Sequence, residues 1–302
     1  MPLVTVLMPV YNGAAYLRSA IQSILDQTFK DFEFLIIDDG SVDGTAEILA
    51  YFARLDRRVR ILAQENAGIV VALNRGMAEA RGTYLARMDA DDVAAPTRLE
   101  LQVAEFERDV HLVACGSDFI KFGTAERNVK MPKTHAQCNL FQLIKPCFAH
   151  PSVMLRMEVM RKNDLFYAAE YTYAEDYKLW SDLAPLGTFH NISRPLLRYR
   201  LHPAQIGATK VVLQRAMHLR VATENFARLK ISIDSSELES FLWPADGGGY
   251  GAVRYLLRAG RFVCGLLMHR QLREFYFLQI ISRIFVVNLF RTVFKSVTIQ
   301  AS

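Results

Sequence analysis

Several features that would narrow the reading of this chain are missing or scarce. Only four cysteines occur in 302 residues, and Cys115, Cys138, Cys147 and Cys264 follow neither a metal-ligand spacing nor a pattern designed for a bridge. A zinc ribbon and a disulfide scaffold are therefore excluded, and a reducing compartment is expected. There is no low-complexity tract and no internal repeat. No basic stretch and no cleavage signal precedes LVTVLMPV, which argues against secretion and for a cytoplasmic protein. Acid is almost absent from the last part of the chain. From Gly247 onward, Arg254, Arg258, Arg261, Arg270, Arg273, Arg283, Arg291 and Lys295 face one acid, Glu274, a net of +7 that leaves −2 for residues 1–246.

What is present is ample for a core: 51% hydrophobic and 22% charged residues, in a length that fits one large domain, or one domain plus an appendage. The first hundred residues alternate strand and helix signals. Strands are expected at Leu3–Val10, Phe32–Asp38, Val59–Ala63 and Tyr84–Met88, with helices at Ala14–Gln27, Gly44–Leu55 and Gly68–Ala80. Repeated units of this length imply a mostly parallel sheet with right-handed crossovers, and apolar strands imply cover on both faces. After Pro96 the pattern loosens. A helix is expected over Thr97–Arg108, strands over Leu112–Ser117, His150–Arg156 and Leu196–Pro203, and helices over Tyr173–Ala184 and Thr209–Leu229. Lys121–Lys133 reads as a polar excursion, and DGGGYG (Asp246–Gly251) as a linker.

The run MDADD stands where the fourth apolar strand stops. Carboxylates there would lie in the crevice where open α/β sheets bind ligands, and Asp89 and Asp91 could both face it from extended chain. Two hard oxygen donors side by side suit Mg²⁺ or Mn²⁺ carrying a phosphorylated substrate. An acidic turn capping the next helix accounts for them equally simply. Asp38 and Asp39 end the second strand before Gly40, Ser41 and Gly44. A carboxylate there could accept the ring N–H of a pyrimidine, with Tyr11 offering its face to the same ring; helix capping and a rim aromatic are the plain alternatives. AEDYKLW puts Glu175 and Asp176 at a helix start, as a general base or as complements to the helix dipole. His150 and His202 could be metal or phosphate contacts or ordinary structural histidines. Arg198, Arg200 and His202 alternate, so they share a strand face that could meet a pyrophosphate.

PVYNGAAYLRSAIQSILDQTF, IIDDGSVDGT, YLARMDADD, HPSVMLR, AEDYKLW and YRLHPAQ occur in that order. This series resembles the family 2 glycosyltransferases, over Val4 to about Ile206, roughly two thirds of the chain. Within that family it looks most like bacterial β-glycosyltransferases of lipopolysaccharide and capsule synthesis, β-1,3-N-acetylglucosaminyltransferases among them. The resemblance implies an α/β fold of the GT-A (nucleotide-diphospho-sugar transferase) type, a mixed, mostly parallel sheet flanked by helices, with a C-terminal helical extension. Residues 1–208 would form the catalytic domain, its nucleotide half about 1–95 and its acceptor half about 96–208. Residues 209–246 would be a helical connector, and 247–302 a basic amphipathic extension.

Carried over residue by residue, the resemblance implies Pro9 and Tyr11 beside the uracil, Asp39 on its N3–H and Asn66 near the nucleotide. Asp89 would contact the ribose or the metal, and Asp91 would ligate Mn²⁺ or Mg²⁺. Asp176 would be the catalytic base, with Glu175 assisting it or binding the acceptor, and His202 a phosphate or metal contact. Asp92 matches the family run with no role beyond the turn. The implied reaction is inverting transfer from a UDP-sugar (GlcNAc, Gal or Glc) to a hydroxyl of a glycan or lipid-linked glycan. A sugar-phosphate nucleotidyltransferase would want a glycine-rich basic loop after the first strand, where YNGAAYL stands; a silent scaffold would not need Asp91 and Asp176. The C-terminal segment lies outside the resemblance. Its basic residues are embedded in FYFLQIISRIFVVNLFRTVF rather than interleaved with polar ones, so a membrane surface is expected and nucleic acid is not. Between Phe275 and Val297, Arg283, Arg291 and Lys295 share a stripe about 120° wide. These charges break the apolar length that a spanning helix needs. An interfacial helix on an anionic inner leaflet is expected; a core or oligomer helix is the alternative.

Overall fold

The computed structural model describes residues 1–124, 126–202, 210–244, 251–269, 272, 277–286 and 288–289. The chain divides into two compact units. One comprises Met1–Cys138 and Pro146–Gln214; the other takes Asn139–Lys145 and the described residues from Arg215 onward.

The first unit is built on one sheet. β1 (Val4–Val10) and β2 (Phe32–Asp38) are buried along their whole length, as strands covered on both faces should be. β3 (Val59–Ala63) and β4 (Tyr84–Arg87) complete a parallel group, with β1 between β2 and β4. Its crossovers are α1 (Ala14–Leu25), α2 (Thr45–Leu55) and α3 (Ile69–Glu79). Each buries residues at three- and four-residue spacing: Leu17, Ile21 and Ile24 in α1, Ile48, Leu49 and Phe52 in α2, Val70, Leu73 and Met77 in α3. Gly76 lets α3 approach β1 closely, because a Cβ there would collide with the side chain of Leu7.

In the second half of the sheet the strand directions are mixed. β5 (Val93–Ala94), α4 (Arg98–Arg108), β6 (Leu112–Gly123), β7 (Arg127–Val129), α5 (His135–Phe141) and β8 (Met154–Arg156) follow, then α6 (Met157–Lys162), α7 (Glu175–Leu183) and β9 (Thr188–Leu201). The order is β3-β2-β1-β4-β8-β6-β9-β5, with β7 beside β6. β8 pairs antiparallel with both β4 and β6, whereas the long β6–β9 ladder is parallel.

Three expectations for this half need correction. His150–Arg156 is not one strand: a 3-10 turn at His150–Ser152 precedes the short β8, because Pro151 offers no N–H to a ladder. β6 runs on through Gly123 into the supposed polar excursion and turns back as β7. β9 begins at Thr188, eight residues before the expected start at Leu196. Its ladder to β6 shifts register near Ser117 and Asp118, and Pro195 sits at that irregularity, where a missing N–H is tolerated.

The second unit is helical: α8 (Val211–Arg228, begun in the first unit), α9 (Ser235–Leu242), α10 (Gly251–Leu267) and a stretch at 277–286. Phe226, Phe241 and Phe262 meet ring to ring at its centre. The stretch expected to lie on a membrane turns Phe277, Ile280 and Ile281 into this interior, while Arg283 is exposed. Arg291 and Lys295 lie outside the described residues, as does the expected linker from Asp246 to Tyr250. No helix among the described residues is long and apolar enough to cross a membrane.

Candidate active site

The sheet changes from parallel to antiparallel beside β4, and the chain leaves β4 through Met88 and Asp89 into a tight turn that delivers Asp92 to β5. Carboxylate oxygens of Asp89, Asp91 and Asp92 lie within 4.8 Å of one another. The arrangement is a turn rather than the extended chain expected, which is why the third acid joins the first two. Each is held separately. Arg87, buried in β4, is ion-paired with Asp89. His202 Nε2 stands 3.0 Å from Asp91 Oδ2. Arg200 donates its backbone N–H to Asp92 Oδ1 at 2.8 Å and its Nε to the Asp91 carbonyl at 2.7 Å. Its guanidinium lies over the rings of Tyr16 and Phe122, at 4.2 and 4.5 Å.

Burial and then the neighbouring Asp89 push the Asp91 carboxyl above its ordinary range. Burial, with Asp89 and Asp91, pushes Asp92 well above it. Asp92 is only 1% exposed, and its Oδ2 has no hydrogen-bond partner among the described residues. An orphaned buried oxygen beside two further carboxylates fits a hard divalent cation, which would relieve both the repulsion and the missing bond. The expectation of no role for Asp92 beyond the turn therefore falls short of the geometry.

Behind the turn lies a second buried cation. Arg98 opens α4 fully buried, donating Nη2 to the Arg87 carbonyl at 2.7 Å and Nε to Gln102 Oε1 at 3.1 Å. Gln102 in turn donates to the carbonyls of Cys115 and Ser152, at 2.7 and 2.8 Å. Burial, then repulsion from Arg87, lowers the Arg98 guanidinium to about 9 against the opposing pull of Asp92. The strand end carrying the acids is thus tied by its backbone to α4, β6 and the turn before β8.

On the other side of β1 the loops after β1 and β2 are laced together. Asn12, in the left-handed region, accepts from the Val42 N–H, while the Gly13 N–H donates to Thr45 Oγ1. Asp39 is buried and accepts three hydrogen bonds, from Gln64 Nε2, the Ala67 N–H and the Gly68 N–H, at 2.6, 2.9 and 2.9 Å. It therefore fixes the loop that leads into α3, not the start of the helix at Thr45 that the plain alternative named. A carboxylate has about four acceptor positions, so one remains open. Tyr11 is half exposed at the end of β1, and Asn66 is exposed in the turn that Asp39 fixes. Pro9 is buried within β1 in register with Ile37, so its side chain belongs to the sheet interior.

Glu175 and Asp176 open α7 after the N-cap Ala174, which follows Tyr173, held at φ +77. That conformation is costly for a bulky side chain and persists only where its surroundings enforce it. Glu175 is buried, and its Oε2 has no hydrogen-bond partner among the described residues. Asp176 Oδ1 accepts from the Tyr177 N–H at 2.7 Å. Burial, then the charge of Glu175, raises the Asp176 carboxyl to about 7, while Arg87 opposes the rise. Burial also raises Glu175, again against Arg87. Arg87 thus acts electrostatically on both the acid turn and the acid pair of α7. The same arginine acts on an aromatic box: His150 Nε2 is 2.8 Å from the Tyr167 hydroxyl, and the His150 ring meets those of Tyr167 and Trp180. Burial, then Arg87, lowers His150 well below its usual range, so it stands neutral. It is a structural histidine, outside the carboxylate cluster.

Sequence reasoning missed Arg87 and Arg98; Arg200, read only as part of a basic strand face, instead holds Asp92 and the Asp91 carbonyl. A guanidinium inside the apolar run YLARM was the one visible signal, since a buried arginine requires a nearby acid or carbonyl.

These features define a nucleotide-sugar transferase scaffold, a parallel half and a mixed half meeting at an acidic turn. Residues 5–163 match the family model for Glycosyl transferase family 2; the chain belongs to that family and is a glycosyltransferase. The O-antigen biosynthesis glycosyltransferase WbnJ of Escherichia coli is 34% identical over 206 residues, 66% of this chain and 80% of that protein. TarS of S. aureus, solved with UDP-GlcNAc, superposes with a TM-score of 0.64 at 16% identity, over 87% of this chain and 81% of that one. The mannosyltransferase PcManGT of Pyrobaculum calidifontis, solved with GDP-Man and Mn²⁺, gives 0.59 at 17% identity, over 98% and 84%. The fold is the GT-A fold of these enzymes, a mixed sheet flanked by helices.

Proposed function

We propose that the chain is an inverting, metal-dependent transferase that moves a sugar from a UDP-sugar to a hydroxyl of a growing cell-surface polysaccharide. The observation that carries this reading is the acid turn and the Glu175–Asp176 pair organised around one buried arginine, Arg87. The named neighbours support it: WbnJ serves O-antigen synthesis, and TarS and PcManGT were solved with UDP-GlcNAc and GDP-Man. In this reading residues 1–208 are the catalytic domain, 209–246 a connector and 247–302 a membrane-associating extension at the cytoplasmic face.

Asp39 offers its remaining acceptor position to the base N3–H, Tyr11 its ring face, and Asn66 the rim of the nucleotide site; Pro9 contributes the strand behind them. Asp89 and Asp91, with Asp92, would hold Mn²⁺ or Mg²⁺, and His202 orients Asp91. A bound divalent cation would supply Lewis acidity toward the departing diphosphate. Asp176 takes the proton from the acceptor hydroxyl as that oxygen attacks the anomeric carbon from the face opposite the leaving group. An α-linked donor then gives a β-linked product. Glu175 keeps Asp176 basic enough for this near neutral pH and lines the acceptor side.

The test is release of UDP or GDP from a panel of sugar nucleotides with Mn²⁺, for wild type, Asp91→Ala and Asp176→Asn. Turnover of one donor, lost on chelation and reduced at least about 10²-fold in both variants, is expected. Turnover that survives in Asp176→Asn would remove it as the base, and binding without turnover of any donor would indicate a silent scaffold.

A further inference from the structure

The basic C-terminal unit contains a helix with two apolar faces, of which its own unit uses one. In α10, Tyr255, Ala259, Phe262 and Leu266 are buried. At 3.6 residues per turn they occupy an arc of about 60°. Phe262 lies against Phe226 and Phe241, and Tyr255 stacks on Phe285. The arc roughly opposite holds Leu256, Gly260, Cys264 and Leu257, and Met268 continues it in the following turn. Leu256 is 41%, Leu257 65% and Met268 76% exposed. Nothing lies within 4 Å of where a Cβ would stand on Gly260. Exposed arginines, Arg261 and Arg258, border this strip on one side, and Arg258 also reaches Ser240 Oγ at 3.2 Å. The helix carries no acid at all.

We propose that this strip of α10, running from Leu256 and Leu257 to Met268 and bordered by Arg258 and Arg261, is the surface by which the protein lies on an anionic lipid bilayer. Large apolar side chains flanked by arginine are what an interfacial helix presents to headgroups and acyl chains. The charge selects the occupant. A second copy docking about a two-fold axis would set Arg258 and Arg261 of each chain near their counterparts with no acid of α10 between them. An anionic bilayer neutralises them instead, and the whole segment after residue 246 has a net charge of +7 to match it. The 277–286 stretch offers less, because Phe277, Ile280 and Ile281 are already buried and Val286 alone among its apolar residues is exposed. The inference deepens the membrane association proposed above by assigning it to one helix face.

Cys264 supplies the probe. It is exposed within the strip, while Cys115, Cys138 and Cys147 are buried. The full-length chain, labelled at Cys264 with a polarity-sensitive fluorophore, is titrated with vesicles of phosphatidylcholine alone or mixed with phosphatidylglycerol; unlabelled chain is co-sedimented in parallel. A blue shift and co-sedimentation with the anionic vesicles only, both weakened by salt, are expected. Arg258→Gln with Arg261→Gln should lower partitioning at least about tenfold, and Leu257→Glu should lower it with an unchanged circular dichroism spectrum. An anionic-vesicle titration without shift or sedimentation would overturn the proposal. So would a shift that follows protein concentration without lipid, with a doubled mass by light scattering, which would assign the strip to a second copy. Nucleotide release from a soluble sugar nucleotide, read in the same samples, separates failure of the lipid surface from failure of the transferase reading.

Discussion

Asp176 and Glu175 are adjacent acids with different surroundings, and the difference is open to titration. Asp176 is raised to about 7 by burial and by Glu175, so a base at that position is half protonated near neutrality. Activity is expected to climb about tenfold per pH unit below that value and to level off above it. Glu175→Gln removes a charge that raises Asp176, so the limb should move to lower pH; a pH profile of kcat checks the direction. The stability sign runs the other way. Because the folded-state value lies above the ordinary 3.8, this group's contribution is most favourable below about 3.8 and is lost as pH rises to about 7. At this scale the sequence was informative about charges in motifs and silent about charges in strands. Asp89, Asp91, Glu175 and Asp176 were visible as acids at element ends. Asp92 had no role in the sequence beyond the turn, and only the folded turn shows its carboxylate beside those of Asp89 and Asp91. Arg87 and Arg98 were hidden inside an apolar run and an amphipathic helix, where nothing local shows that their guanidinium groups meet backbone carbonyls and acids.

The elements that shape the site are short connections more than helices. Gly40 is the clearest case: it follows Asp39 at φ +77, and a Cβ there would lie 2.7 Å from the backbone nitrogen of Asn66. Gly40→Ala is expected to cost about 1–3 kcal/mol and to disturb the Asn66 turn. Denaturant unfolding and nucleotide affinity should therefore both change, and retention of wild-type values in both would remove the close approach from the account. The first three crossover units were legible because strand and helix periods are strongly expressed there and each strand ends in a turn signal. The second half was less so. Pro195 interrupts the apolar alternation of β9, and Asp118 and Lys121 do the same for β6, yet pairing between the two strands carries both through. Non-local ladders of this kind leave little local trace.

For the molecule as a whole, the acid turn ties ligand binding to stability. A cation that binds only the folded carboxylate cluster raises the unfolding free energy by about 2.7 kcal/mol at a hundred times its dissociation constant. Addition of Mn²⁺ should thus raise the melting temperature by several degrees, and Asp91→Ala should abolish the rise. If the two units melt separately, only the transition of the unit containing Met1–Cys138 should move. At this scale the excess of basic residues after Gly247 was plain in the sequence. The face that presents it was not, because periodicity marks apolar arcs without saying which arc a neighbouring helix already covers.

The arrangement of the sheet also carries a consequence for the order of synthesis. Every ladder among β1, β2, β3 and β4 is closed within the first 87 residues, and β4 meets the rest of the sheet only through three residue pairs with β8. The parallel half therefore has all its strand partners, save β8, while the remainder is still on the ribosome, whereas β8 must find β4, made long before it, and β6. Vectorial emergence favours assembly from the N-terminal side. The acid turn, which immediately follows β4, would then hang from a finished platform before the residues that complete its surroundings, Arg200 and His202, have been translated.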